Sequence, residues 1–206
     1  MTQSDSPPTA TAAETDRTVQ PPAPRSGHLP GDVHMWVMVL GDILVFSSYF
    51  VIFMIYRSMS PEAYLRAQQH LDVNIGVVNT VVLLTSSWFI ARSVLSARAG
   101  DHRRAIRFVY SAGACGVAFM ALKGYEWAAK IGAGYTNSDE FFSFYYVITG
   151  VHFLHVFIGL IVLGVVIRDL RNPARRRISM AEAGATYWHM VDLLWVVIFA
   201  LLYVMR

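Results

Sequence analysis

Asp42, Glu126, His152, His155, His189 and Asp192 have the greatest capacity for chemistry in this sequence, because each stands in otherwise apolar surroundings. Carboxylates and imidazoles hold and pass protons, and imidazole is also a common metal ligand. His152 and His155 are three residues apart, as are His189 and Asp192, so on a helix each pair shares a face. Lys123 precedes Glu126 by the same spacing, which reads as an exposed pair whose side chains snorkel to a membrane surface. Asp42 follows Gly41, opens an apolar run and has no basic residue within a turn of its own helix. It must find a partner on another helix, stay protonated or touch a water-filled space. That makes Asp42 the single best functional candidate.

For His152 and His155 several chemistries compete. Haem or metal ligation is one, but helix-built di-metal sites use paired Glu-x-x-His motifs, and the sequence contains none. A proton path through Asp, Glu and His side chains is a second, and a quinone or lipid-headgroup site a third. The plainest reading is that each imidazole is hydrogen-bonded to an acidic residue on another helix and locks the bundle. His189 and Asp192 read in the same way, as a structural tie capping or tethering an arginine-rich loop.

These residues need helices in a membrane to position them. Hydrophobic residues make up 55% of the chain and charged ones 15%, unlike a soluble domain. Five mostly apolar runs match the hydrocarbon thickness of a bilayer: 35–56, 74–95, 106–127, 142–167 and 186–205. The expectation is an all-α, five-helix transmembrane bundle over residues 34–206. Residues 1–33 are rich in Pro, Thr, Ala and Ser and read as a disordered tail without the pattern of a signal peptide. Cys115, between Ala114 and Gly116, reads as a small residue at a helix contact.

Arginines cluster after the second span (Arg92, Arg98, Arg103, Arg104, Arg107) and after the fourth (Arg168, Arg171, Arg175, Arg176, Arg177). The positive-inside rule then puts the N-terminus in the cytoplasm and the C-terminus outside. The basic charge needs no nucleic-acid partner to explain it. Trp36, Trp88, Tyr187 and Trp188 fall near the inner boundary, and Tyr56, Tyr125, Trp127, Tyr145, Tyr146 and Tyr203 near the outer one, as an interfacial aromatic belt. Ser60-Pro61-Glu62 reads as the start of a short interfacial helix running toward His70. Asn79, Thr80, Thr85, Ser86 and Ser87 make the second span a source of interhelical hydrogen bonds.

Rise per residue sets depth. Asp42 lies about 10 Å into the first span, Asp192 roughly 9 Å into the fifth, and His155 about 18 Å from the inner end of the fourth. Asp42 and Asp192 thus share a layer, with His155 about a turn beyond it.

Val78-Asn79-Thr80-Val81-Val82-Leu83-Leu84, Tyr125-Glu126-Trp127, Thr149-Gly150-Val151-His152-Phe153-Leu154-His155-Val156 and Tyr187-Trp188-His189-Met190-Val191-Asp192 occur in the order found in subunit III of haem-copper cytochrome c oxidases. The chain after its tail resembles the five-helix form of that subunit. Gly41-Asp42, where the oxidase subunit has Ser-Glu, together with Trp36-Val37-Met38-Val39-Leu40 and Leu83-Leu84-Thr85-Ser86-Ser87, is more similar to the NorE-like branch associated with nitric-oxide reductase.

The resemblance implies a non-catalytic accessory subunit of a haem-copper respiratory complex in a bacterial inner membrane. Such a subunit supports proton uptake and the integrity of catalytic subunit I, which carries the haem and copper. It implies bound phospholipid, no metal in this chain, and a pairing of Asp42 with His155. Two intramembrane histidines and one at the interface are too few for a haem-copper centre. Under this reading Asp42, His152, His155 and Glu126 form a proton-uptake or buried polar network, and His189, Asp192 and Asn79 a structural anchor. A NorE-like subunit, a free-standing haem or quinone protein and a small proton-coupled transporter are the rival readings.

Overall fold

The computed structural model describes residues 33–135, 140–173 and 177–205. Apart from Val33, the expected N-terminal tail lies outside the described residues. Six α-helices follow in order: α1 (Val33–Met59), α2 (Pro61–Gln68), α3 (Val73–Arg98), α4 (His102–Gly132), α5 (Glu140–Arg171) and α6 (Ile178–Phe199), the last continuing into a π-helical turn, Ala200–Val204. All but α2 are long and apolar enough to cross a membrane. Among the described residues there is no strand. The expected five-span, all-α architecture is the one observed.

The helices begin before the apolar runs, earliest in α6, which starts at Ile178 rather than Thr186. Glu182 explains the extra turns: it bonds Arg98 Nε at 2.9 Å, joining the polar end of α6 to the end of α3. Asp72 and Asp101 cap α3 and α4 by accepting hydrogen bonds from Asn74 N and Arg104 N. Pro61 opens α2 as expected, although the Ser60 hydroxyl makes no capping bond.

A seven-residue repeat runs through the interior. The buried residues of α3 are Gly76, Asn79, Leu83, Ser86, Ile90, Ser93 and Ala97, alternating steps of three and four. Those of α4 keep the same rhythm, Ala105, Val109, Ala112, Gly116, Phe119, Lys123 and Glu126. Helices α5 and α6 carry it through His152, Val156 and Gly159 and through Trp188, Val191 and Trp195. Such spacing holds one stripe of each helix against its neighbours at shallow crossing angles. Helix α1 buries only a thin seam, Val39, Phe46 and Phe53 at seven-residue intervals, and lies at the bundle's edge.

One residue locks α3 to α6 together. The Trp188 indole lies between Gly116 of α4 and Gly159 of α5, where an added Cβ would come within 2.8 and 2.9 Å of the ring. Its Nε1 donates to Ser86 Oγ at 2.9 Å, and Ser86 in turn donates to the Ala112 carbonyl at 3.1 Å. Trp188 and Tyr187 are therefore core residues, not part of an interfacial belt; both are almost fully buried. Tyr145 and Tyr203 are corrected in the same way, whereas Trp88, Tyr56 and Tyr125 are exposed as a belt requires. The difference is register: the buried four fall on the inward stripe or are turned onto it.

Candidate functional site

Helix α1 places Asp42 against α5. Asp42 Oδ1 lies 3.3 Å from His155 Nε2, and His155 Nδ1 lies 2.8 Å from the Val151 carbonyl. A carbonyl only accepts, so Nδ1 carries a hydrogen. Nε2 thus faces the carboxylate, and the two form an ion pair whenever Nε2 is protonated as well. Phe46 packs edge-on against the imidazole at 5.4 Å, and the Tyr187 hydroxyl donates to the His155 carbonyl at 3.3 Å. The site is not sealed, since the side chains of His155 and Asp42 remain 16% and 23% exposed.

The turn-sized gap expected between these two residues is absent, since the carboxylate and the imidazole are in contact.

Lys123 and Glu126 overturn the reading of an exposed, snorkelling pair: their side chains are each 1% exposed. Lys123 Nζ donates to Glu126 Oε2 at 3.0 Å, Tyr145 OH at 3.1 Å and Tyr203 OH at 2.7 Å. Tyr203 donates its own hydroxyl hydrogen bond to Glu126 Oε1 at 2.7 Å. Three ammonium donors thus meet three acceptors, and the tyrosine rings flank the charge at 4.6 and 5.2 Å. The spacing of three was read correctly as a shared face, but the face is the interior one. Counting three and then seven from Gly116 leads to Phe119 and Glu126, and Lys123 is seven from Gly116 itself. That count is the signal by which the sequence could have placed them.

The π-helical turn delivers Tyr203. Eight residues beyond Trp195, it would lie about 80° off the same face on a regular helix; the wider turn returns it inward. Gly76 leaves room for it, since an added Cβ there would sit 2.8 Å from Phe199 and 3.0 Å from Tyr203. The carbonyls loosened by the turn are recovered by α2: Gln68 Nε2 donates to Leu201 O and Leu202 O at 3.2 Å each. Nearby Tyr64 donates to Glu140 Oε1 at 2.9 Å. Burial, reinforced by that carboxylate, holds the Tyr64 phenol above its ordinary pKa.

The other expected residues are scattered through the core. His189 Nδ1 meets Ser87 Oγ at 2.6 Å, so it ties α6 to α3 and not to an arginine loop. Asp192 is 3% exposed; Ser87 is beside it, but neither carboxylate oxygen completes a hydrogen bond of normal geometry. His152 and Asn79 are fully buried and find no hydrogen-bond partner among the described residues. The expectation that each imidazole meets an acidic neighbour thus holds for His155 and fails for His152. Among the described residues, no three His, Cys, Asp or Glu side chains converge as a metal site would require.

Comparison with known proteins decides the family. The family model described as cytochrome c oxidase subunit III matches residues 30–206. The chain belongs to the cytochrome c oxidase subunit III family. It is 30% identical over 203 residues to cytochrome c oxidase subunit 3 of Synechocystis sp., covering 96% of this chain and 86% of that one. It is 31% identical over 173 residues to the subunit 3 of Thermostichus vulcanus, covering 82% and 84%. A third relative, from Aeropyrum pernix, is a heme-copper oxidase subunit I+III, 26% identical over 178 residues that make up 22% of its length. Subunit III membership and the five spanning helices together make this an integral membrane protein.

Proposed function

We propose that the chain is the non-catalytic subunit III of a haem-copper respiratory complex, docked on catalytic subunit I in a bacterial inner membrane with its arginine-rich end in the cytoplasm. The observation that carries this reading is the half-open Asp42–His155 pair on the thin edge helix. A carboxylate and an imidazole in contact within two spanning helices, about a third of the way along α1 and midway along α5, are costly facing lipid. They are supported if a partner protein or water covers them, as an accessory subunit's contact surface provides. The relative in which subunits I and III form one chain supports the same partner. In this reading Asp42 and His155 take up and hand on protons for subunit I, which bears the haem and copper, and phospholipid fills the grooves between chains. Lys123, Glu126 and His189 hold the bundle together.

Asp42→Asn tests the reading. The variant should assemble with subunit I, because the asparagine keeps the shape and still meets His155. It should then lose activity in fewer turnovers than wild type, since the asparagine cannot take up and release a proton. Equal loss per turnover in the two complexes would refute the role. Co-purification on a tagged chain distinguishes an oxidase from a nitric-oxide reductase as the host.

A further inference from the structure

The interior repeat brings two polar side chains with unused hydrogen-bonding capacity into one layer. Starting from the Trp188 layer (Ser86, Ala112, Gly159, Trp188), a step of two helical turns along each antiparallel helix reaches Asn79, Phe119, His152 and Trp195. Three of these are in direct contact. Phe119 packs edge-on against His152 at 5.6 Å and against Trp195 at 4.7 Å, and Trp195 faces His152 at 5.3 Å. Asn79 enters the layer from α3 beside Thr80, whose hydroxyl accepts the Trp195 Nε1 hydrogen at 3.0 Å.

Asn79 and His152 are each 0% exposed, and neither amide atom nor ring nitrogen has a partner among the described residues. Phe119 has nothing to offer, and Trp195 has given its hydrogen to Thr80. Buried polar atoms in proteins are nearly always satisfied, by other groups or by ordered water that makes about three hydrogen bonds. What is missing here is of both signs: the amide needs acceptors for NH2 and a donor for its oxygen, and the imidazole needs one of each. An ion answers only one sign. Water answers both, and is small enough for a layer closed by two aromatic rings.

We propose that Asn79 and His152 form an internal water site, with one or two water molecules bridging α3 to α5 one turn from the Lys123–Glu126 cluster. The site would give the core of the bundle an exchangeable proton carrier at a depth where its neighbours are dry.

Solid-state NMR of the full chain in lipid bilayers, with magnetisation transferred from water, tests this. The His152 ring nitrogens, assigned by their loss in His152→Phe, should receive signal readily. Val156, one turn along α5 and 0% exposed, should stay dark. In Asn79→Leu the His152 signal should fall toward the level of Val156. A His152 as dark as Val156 in wild type would overturn the proposal. So would a signal unchanged in Asn79→Leu, or a direct Asn79–His152 hydrogen bond with no water transfer. Should Asn79→Leu not fold, the wild-type contrast between His152 and Val156 decides alone.

Discussion

Two carboxylate–nitrogen pairs in this bundle invite comparison, because they use similar groups to opposite ends. In the core, Lys123 and Glu126 have every ammonium hydrogen matched and both carboxylate oxygens occupied. At the edge, Asp42 and His155 share a single contact and keep part of their surface open. Both pairs sit in helices that cross the membrane. A charge fully satisfied and sealed has no capacity left to exchange a proton and can only hold helices together. A pair left partly open keeps that capacity, which is what the proposed proton role requires of it. Closure, more than residue type, separates a lock from a site.

The sharpest way to break the comparison is to remove one half of each pair. Lys123→Met leaves Glu126 buried without its counter-ion and should destabilise the bundle by about 3–5 kcal/mol, as breaking buried ion pairs does. Unfolding in mixed detergent with increasing dodecyl sulfate would read it. Lys123→Met with Glu126→Leu should recover most of the loss, since apolar replacement of a whole buried pair is often neutral. Failure to recover would mean that the cluster does more than balance its own charges.

Glycines sharpen the contrast by testing packing without touching charge. Gly159→Ala forces a Cβ to 2.9 Å from the Trp188 ring and should cost about 1–3 kcal/mol. Gly41→Ala, next to Asp42, meets nothing within 4 Å and should leave stability unchanged or raise it slightly. A similar cost at both positions would show that the edge is as tightly packed as the core. Tyr203→Phe is the intermediate case. It removes the hydroxyl that bridges Lys123 to Glu126 while keeping the ring, and should cost about 1–3 kcal/mol, as unsatisfied buried partners do. Greater hydrogen exchange confined to α4 and the end of α6 would accompany it.

The sequence spoke clearly about some of this and misled about the rest, for reasons visible in particular residues. Five apolar runs and the proline at position 61 located the helices because span length and the fixed proline backbone are local properties. Its apolar surroundings singled out Asp42, and the family resemblance paired it with His155, far away in sequence, a contact that no spacing rule would find. Lys123 and Glu126 were read from their mutual spacing alone, and any helical pair three apart looks like a surface pair until its face is known. The face follows from a repeat extending over several turns, through Gly116 and Phe119, in a helix whose lipid side is as apolar as its interior. Hydropathy cannot separate those sides; small residues opposite a tryptophan can. The π-helical turn that aims Tyr203 inward left no local signature, and neither did the docking of Gln68 on its carbonyls.

The edge pair supplies the smallest effect and the most informative one. Asp42→Asn and His155→Gln each exchange one polar contact between α1 and α5 for a neutral amide contact, a change on the order of a single hydrogen bond, about 0.5–1.5 kcal/mol. Each variant should therefore unfold within that margin of wild type while the Lys123 variant falls far outside it. The two readouts cross over: Lys123→Met would harm the bundle before it harmed turnover, and Asp42→Asn would harm turnover with the bundle intact. A large loss of stability in both edge variants would show that α1 hangs on this contact. Val39, Phe46 and Phe53 argue otherwise, since they bury one side chain on every second turn and pin α1 along its length without the pair's help.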